Sequence, residues 1–384
     1  MGRIKRLKKE QLEEFSSLRE INVLRIKEAK EQGRKVVGTY CAYCPQELIL
    51  AAGAIPVSLC GTKEEPITAA EETLPRNLCP LIKSSYGFAV TDTCPFFYFS
   101  DLVIGETTCD GKKKMFELLG DIKPLHVMEL PFLKPTESSF ALWVDELRRL
   151  KTRLESEFEI EIKDADIWKA IEIVNQEKAA LKAIYDLNKA DPPPISGIEL
   201  LTVSHSIAFD SDKEEVIQML KKLTGAVTAN NNQAKASKPR VLLTGCPVGI
   251  GTEKVIRLTE ELNADVVAME NCSGYKTLEL MTSKEYDDPI VALAHKYLKI
   301  PCSCMSPNPY RLELLERMIE EFSVDVVIDL TWQACHTYNI EAYQVQHLVK
   351  KKGIPHLHLE SDYSSSDLGS LSVRIQALLE MVER

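Results

Sequence analysis

Apolar residues recur at helical spacing through the first 34 positions, where Leu7, Leu12, Phe15, Leu18, Ile21, Leu24 and Ile26 are set among charged residues. The spacing predicts one long helix over residues 4–32, ending at Gly33, with one apolar face. That face is expected to pack on its own domain, with a partner chain as the other candidate. The period then changes. KVVGTYCAYCPQELILAAGAIPVSLCG reads as a strand, a loop, a helix from about Pro45 and a second strand, and DLVIGETTCDGKKKMFELLG repeats strand, turn and helix. Helical spacing returns from Glu137 to Leu187 and is broken by Asp191-Pro192-Pro193-Pro194, because successive prolines supply no backbone donors. A helical segment continues to about Leu223, and the polar run 228–239 predicts a linker. A second α/β stretch opens at Pro239: RVLLTGCPVGIGTEKVIRLTEEL, ADVVAMENCSGYK, PCSCMSPNPYRLELLERMIEEF and VDVVIDLTWQACHTYNIEAYQVQHLVKKKGIPHLHLE again set apolar runs beside turns and amphipathic helices.

The predicted architecture is therefore α/β, with two Rossmann-like lobes built on parallel sheets. The expected segments are an N-terminal helix (1–34), a first lobe (35–135), a helical connecting segment with a linker (136–238) and a second lobe (239–384). A length of 384 residues is enough for two cores. The formal charge of −10 argues against nonspecific nucleic-acid binding, which needs Lys and Arg to neutralise phosphates. The N-terminus has no apolar signal region, and no apolar run reaches the roughly 18 residues of a membrane span, so a cytoplasmic location is expected.

A reducing compartment disfavours disulfides, so the eleven cysteines are to be read as buried residues, reactive thiols or metal ligands. Several follow predicted strands, among them Cys109, Cys246, Cys272 and Cys335, at the sheet edge where α/β folds bind ligands. Thiols from both lobes can thus converge on the cleft between them and hold a sulfur-rich cofactor. Narrower readings explain less. Cys41-Ala-Tyr-Cys44 has the look of a thioredoxin-type pair but leaves nine cysteines over. Zinc on Cys41, Cys44, Cys302 and Cys304 would need unusually distant pairs, and no ferredoxin-type cysteine run is present. Cys60 and Cys94 read as core residues. TGCPVGIGTEK fits a tight turn better than a nucleotide loop, and no Walker A sequence occurs, so any ATP hydrolysis falls to another protein. Glu270, His336 and Tyr338, close to Cys272 and Cys335, are candidate proton donors, each equally explicable as a structural hydrogen-bonding residue.

TYCAYCPQELILAAGAIPVSL, NLCPLIKSSYG, TTCDGKKKMFELL, ENCSGYK, PCSCMSPNPYRLELL and TWQACHTYN, spread from about residue 35 to the C-terminus, resemble the 2-hydroxyacyl-CoA dehydratase D-component family, which includes benzoyl-CoA reductase-type subunits. The resemblance implies Rossmann-like lobes and three cysteines, here Cys79, Cys109 and Cys335, holding a [4Fe–4S] cluster with one iron open. Cys41, Cys272 and Cys304 are additional. They make the chain most similar to the double-cubane cluster branch, whose [8Fe–9S] cofactor implies six ligands: Cys41, Cys79, Cys109, Cys272, Cys304 and Cys335, with Cys44 and Cys302 as alternates. The same resemblance implies a homodimer, a separate ATP-dependent [4Fe–4S] activator, and reduction of a small unsaturated substrate. A single-cluster 2-hydroxyacyl-CoA dehydratase subunit and an iron–sulfur carrier or scaffold are the alternatives. Which thiols share a cubane is not legible.

Overall fold

Each α/β stretch closes into its own four-stranded, wholly parallel sheet in the computed structural model, which describes residues 6–133, 136–229 and 238–382. The chain begins with α1 (Lys9–Ser16) and α2 (Leu18–Glu31). The first sheet is built by β1 (Val36–Thr39), α3 (Gln46–Ala51), β2 (Ile55–Ser58), α4 (Ile67–Ala70), α5 (Pro80–Val90), α6 (Pro95–Phe99), β3 (Leu102–Glu106), α7 (Asp110–Leu119) and β4 (Leu125–Met128). Helices α8 (Glu137–Phe158), α9 (Asp164–Asp186), α10 (Gly197–Ser206) and α11 (Lys213–Ala229) connect the halves. The second sheet follows with β5 (Arg240–Gly245), α12 (Lys254–Glu261), β6 (Asp265–Glu270), α13 (Pro289–Tyr297), α14 (Pro309–Glu321), β7 (Val326–Trp332), α15 (His336–Lys351), β8 (His356–Ser361) and α16 (Leu368–Glu380).

The strand orders are β2-β1-β3-β4 and β6-β5-β7-β8, so both halves follow one topology. Strands β1, β3, β5, β6 and β7 are buried along their whole length, so their central residues are mainly apolar on both faces rather than alternating, with charged residues such as Glu106, Asp265 and Glu270 at strand ends and Asp329 buried within β7. In each sheet the chain runs to one side of its first strand and then crosses to the other. That reversal opens a crevice at the carboxyl ends of β1 and β3, and of β5 and β7.

Packing crosses the sequence division. Trp143 and Leu147 of α8 share a core with Val37 of β1, Ile104 of β3 and Leu293 of α13, so α13 packs on α8 and joins the core of the first sheet although it belongs to the second stretch. The lobes meet tightly around the glycine-rich turn after β5. Thr62 donates its hydroxyl to the Ile250 carbonyl at 3.0 Å, and Tyr363 donates to the Gly61 carbonyl at 3.0 Å. A Cβ on Gly249 would stand 2.5 Å from Thr62 Cγ2 and 2.7 Å from His205 Nε2. The turn is a close contact between lobes, which accounts for its glycines without a phosphate.

The N-terminal segment is close to the single helix expected: α1 and α2 are divided only at Ser17, which keeps a helical backbone and its N–H bond to the Glu13 carbonyl at 3.1 Å while its hydroxyl adds a second bond to that carbonyl at 2.8 Å. Phe15, Leu18 and Ile26 are buried against the rest of the chain, and Leu24 stays 63% exposed. Ion pairs Lys30–Asp101 at 2.8 Å and Arg6–Asp265 at 2.5 Å tie the segment to both halves.

Candidate metal centre

The two sheets present their cysteines in matching places. Cys41 follows β1, Cys60 follows β2 and Cys109 follows β3; Cys246, Cys272 and Cys335 follow β5, β6 and β7. Cys79 caps α5, and Cys302 and Cys304 lie on the loop after α13. Every cysteine but Cys94 lines one cavity of 1890 Å³ between the lobes. Cys94 instead caps α6.

Two backbone positions on this wall lie in the left-handed region. Cys41 has φ +71° and Ala334, directly before Cys335, has φ +59°, a region that costs a non-glycine residue about 1–2 kcal/mol. Both conformations turn the chain where a thiol meets the cavity.

The thiols sort into two groups, each drawn from both lobes. Cys335 is hydrogen-bonded by Cys246 and by Cys79, which hold it well below the ordinary thiol range. Cys109 stands close enough to feel the charge of Cys335 and, after it, that of Cys302, so it lies on the side of the first group that faces the second. In the second group Cys302 is lowered to about 6 by a hydrogen bond from Cys304, aided by the Lys276 ammonium. Cys41 and Cys272 both feel the charge of Cys302. Burial pushes Cys41 and Cys44 well up and Cys272 to about 11. Each group thus has one sulfur disposed to be a thiolate among neighbours disposed to stay protonated without a cation. Lys112 lies between them. Burial opposes its charge, but Cys41, Cys60, Glu106 and Cys109 outweigh that and raise it.

Behind the second group is a buried ionic network. Glu270 accepts from Thr244 Oγ1 at 2.5 Å and Arg311 Nε at 3.1 Å, and pairs with Lys276 at 3.2 Å. Lys276 in turn donates to the Tyr338 phenol oxygen at 2.5 Å. Tyr338 and His336 face the cavity, whereas the Glu270 carboxylate is set one layer back and reaches it through Lys276 and Tyr338. His336 is exposed at the start of α15.

All six thiols singled out from the sequence, and both alternates, line the cavity. Cys60 does too, although its sequence context reads as core, and so does Cys246, whose contact with Cys335 joins residues 89 positions apart and leaves no local signal. The missed cue was the equivalence of the two sheets: Cys60 and Cys246 occupy the places of Cys272 and Cys41. Among the described residues no three His, Cys, Asp or Glu side chains converge on a point suited to a single ion, so the zinc arrangement on Cys41, Cys44, Cys302 and Cys304 is not assembled.

Soft donors distributed around a roomy enclosed cavity, with Lys112 as counter-charge, fit a polynuclear iron–sulfur group rather than one cation. Fold and site together define a two-lobed α/β protein whose lobes jointly supply a thiol-lined chamber. The chain belongs to the 2-hydroxyglutaryl-CoA dehydratase, D-component family, whose model matches residues 41–382. It is 48% identical over 373 residues to YjiM of Escherichia coli (strain K12), provisionally named a dehydratase subunit, covering 96% of this chain and 97% of that one. It is 24% identical to the (R)-phenyllactyl-CoA dehydratase beta subunit of Clostridium sporogenes, over 92% of this chain and 94% of that one. It is 21% identical to the beta subunit of (R)-2-hydroxyglutaryl-CoA dehydratase of Acidaminococcus fermentans, over 96% and 98%. The protein is thus a 2-hydroxyacyl-CoA dehydratase-type enzyme component, from a family known to bind iron–sulfur clusters. No described helix is long and apolar enough to cross a membrane.

Proposed function

We propose that this chain is a low-potential reductase component whose chamber holds an [8Fe–9S] double cubane and receives electrons from a separate ATP-hydrolysing [4Fe–4S] activator. The observation that carries this reading is the division of the cavity thiols into two groups. One cubane with an open iron takes about three cysteines, and ten line the chamber. Cys79, Cys109 and Cys335 would hold one half and Cys41, Cys272 and Cys304 the other, with Cys44 and Cys302 as alternates. Cys246 supports Cys335 by hydrogen bonding. When bound, such a group supplies strongly reducing electrons and an open iron position.

The chain's own residues would exclude water, offset charge and move protons. Lys112 places a positive charge among the thiolates. Tyr338 accepts from Lys276, which leaves its own O–H free to donate into the chamber, and Lys276, held by Glu270, can restore the proton. His336, exposed at the mouth, can exchange protons with solvent. The substrate class is a small unsaturated molecule, with multiply bonded carbon or linked nitrogen atoms. The assembly is a homodimer, and its location is the cytoplasm.

A second reading, a 2-hydroxyacyl-CoA dehydratase subunit with one [4Fe–4S] cluster, is favoured by the names of the relatives, though those with a stated substrate are distant at 24% and 21% identity. Iron and acid-labile sulfide per chain, measured with EPR on protein purified without oxygen, separate the two. About eight irons and nine sulfides are expected. About four irons would replace the double-cubane reading with the dehydratase one.

A further inference from the structure

The lysines of the interior and of the chamber wall divide by partner. Lys83 pairs with Glu71 at 2.7 Å, Lys213 with Glu177 at 2.8 Å, Lys276 with Glu270 at 3.2 Å and Lys296 with Glu47 at 2.5 Å. Lys112 and Lys178 both line the cavity, and among the described residues neither has a carboxylate within ion-pair distance. Lys112 has thiols around it to supply its counter-charge. Lys178 does not.

Lys178 projects from α9 into the chamber wall, where it is half-buried. Its ammonium donates to the Thr277 carbonyl at 3.1 Å. Charged and titratable groups face it from every side, and each is already committed. Glu47 of α3 gives one oxygen to Lys296 and the other to the Tyr297 hydroxyl at 2.8 Å, both from α13. Glu177, on α9 itself, is taken by Lys213 of α11. Lys276, on the same turn as Thr277, faces Glu270 and Tyr338. A half-buried ammonium without an anion in ion-pair contact has lost part of its hydration, and the cost is relieved if a ligand brings one.

We propose that Lys178 anchors a small monoanionic group of the carboxylate class on the molecule that enters the chamber. This rests on the chamber being the reaction site. Burial and then the neighbouring Lys296 lower the Lys178 pKa to about 7, so the ammonium is mostly present at pH 6 and mostly absent at pH 8.5. Anion binding is therefore strongest on the acid side and draws in a proton on the alkaline side.

The test is calorimetric titration of full-length, cluster-containing protein with acetate at pH 6 and pH 8.5, in buffers of differing ionisation heat. Acetate binds roughly thirtyfold more tightly at pH 6, the ratio of ammonium fractions for a pKa near 7, with net proton uptake at pH 8.5. Lys178→Met abolishes both. Lys178→Arg, permanently charged, binds at both pH values without the proton uptake. No acetate binding by the wild type, unaltered binding by Lys178→Met, or persisting proton uptake by Lys178→Arg would each overturn the assignment. Iron content and EPR of the same samples test the cluster separately: about four irons per chain would sink the double-cubane reading, and acetate binding lost in Lys178→Met would leave the anchor intact.

Discussion

Replacing Cys41 by glycine and by alanine separates what its thiol contributes from what its backbone costs. At φ +71° a residue with a Cβ is disfavoured by about 1–2 kcal/mol. Glycine relieves this but loses about 0.5–1 kcal/mol more chain entropy on folding than alanine. Both variants lose the same thiol, so that loss cancels between them. Cys41→Gly is expected to be more stable than Cys41→Ala by about 0.5–1 kcal/mol. In urea, for an m-value of about 2–3 kcal/mol/M, the difference corresponds to a midpoint shift of roughly 0.2–0.5 M. The measurement is made on metal-free protein, with iron per chain determined in parallel after anaerobic reconstitution. Both variants lose iron. Ala334→Gly, also relieved of a left-handed backbone at φ +59° but leaving Cys335 in place, gains similar stability and keeps its iron. An alanine variant as stable as the glycine one would refute the strain argument, and full iron in Cys41→Ala would remove Cys41 from the ligand set.

Two further predictions concern the junction of the lobes. Gly249→Ala forces a Cβ to 2.5 Å from Thr62 Cγ2 and should cost about 1–3 kcal/mol in urea unfolding, with iron retention falling as the lobes separate. Burial, and then Arg19, lower the pKa of His205 from 6.5 to about 4. The unfolded chain therefore takes up a proton that the folded chain refuses, and stability is lost as pH falls from 6.5 to 4. His205→Gln should flatten that part of the acid limb by about 2 kcal/mol, seen by comparing unfolding free energies at pH 7 and pH 4.5.

The strands were legible because a strand buried on both faces is mostly apolar, as Val326–Trp332 is apart from the buried Asp329 and Thr331, and because the helices between strands are amphipathic. The placement of cysteines directly after several strands was legible for the same local reason.

The sequence by itself determined two α/β stretches, a helical connection and thiols at the carboxyl edges of the strands. These follow from local periodicity and from the few residues needed to turn from a strand into a helix. Only the tertiary structure decided which thiols are neighbours, why Cys246 and Cys60 join the wall, and why α13 packs in the first core. It also decided that Lys296 is paired with Glu47 across 249 positions while Lys178 is left facing the chamber without an anion. Contacts between residues so far apart are set by how the two sheets pack, and no local pattern encodes them.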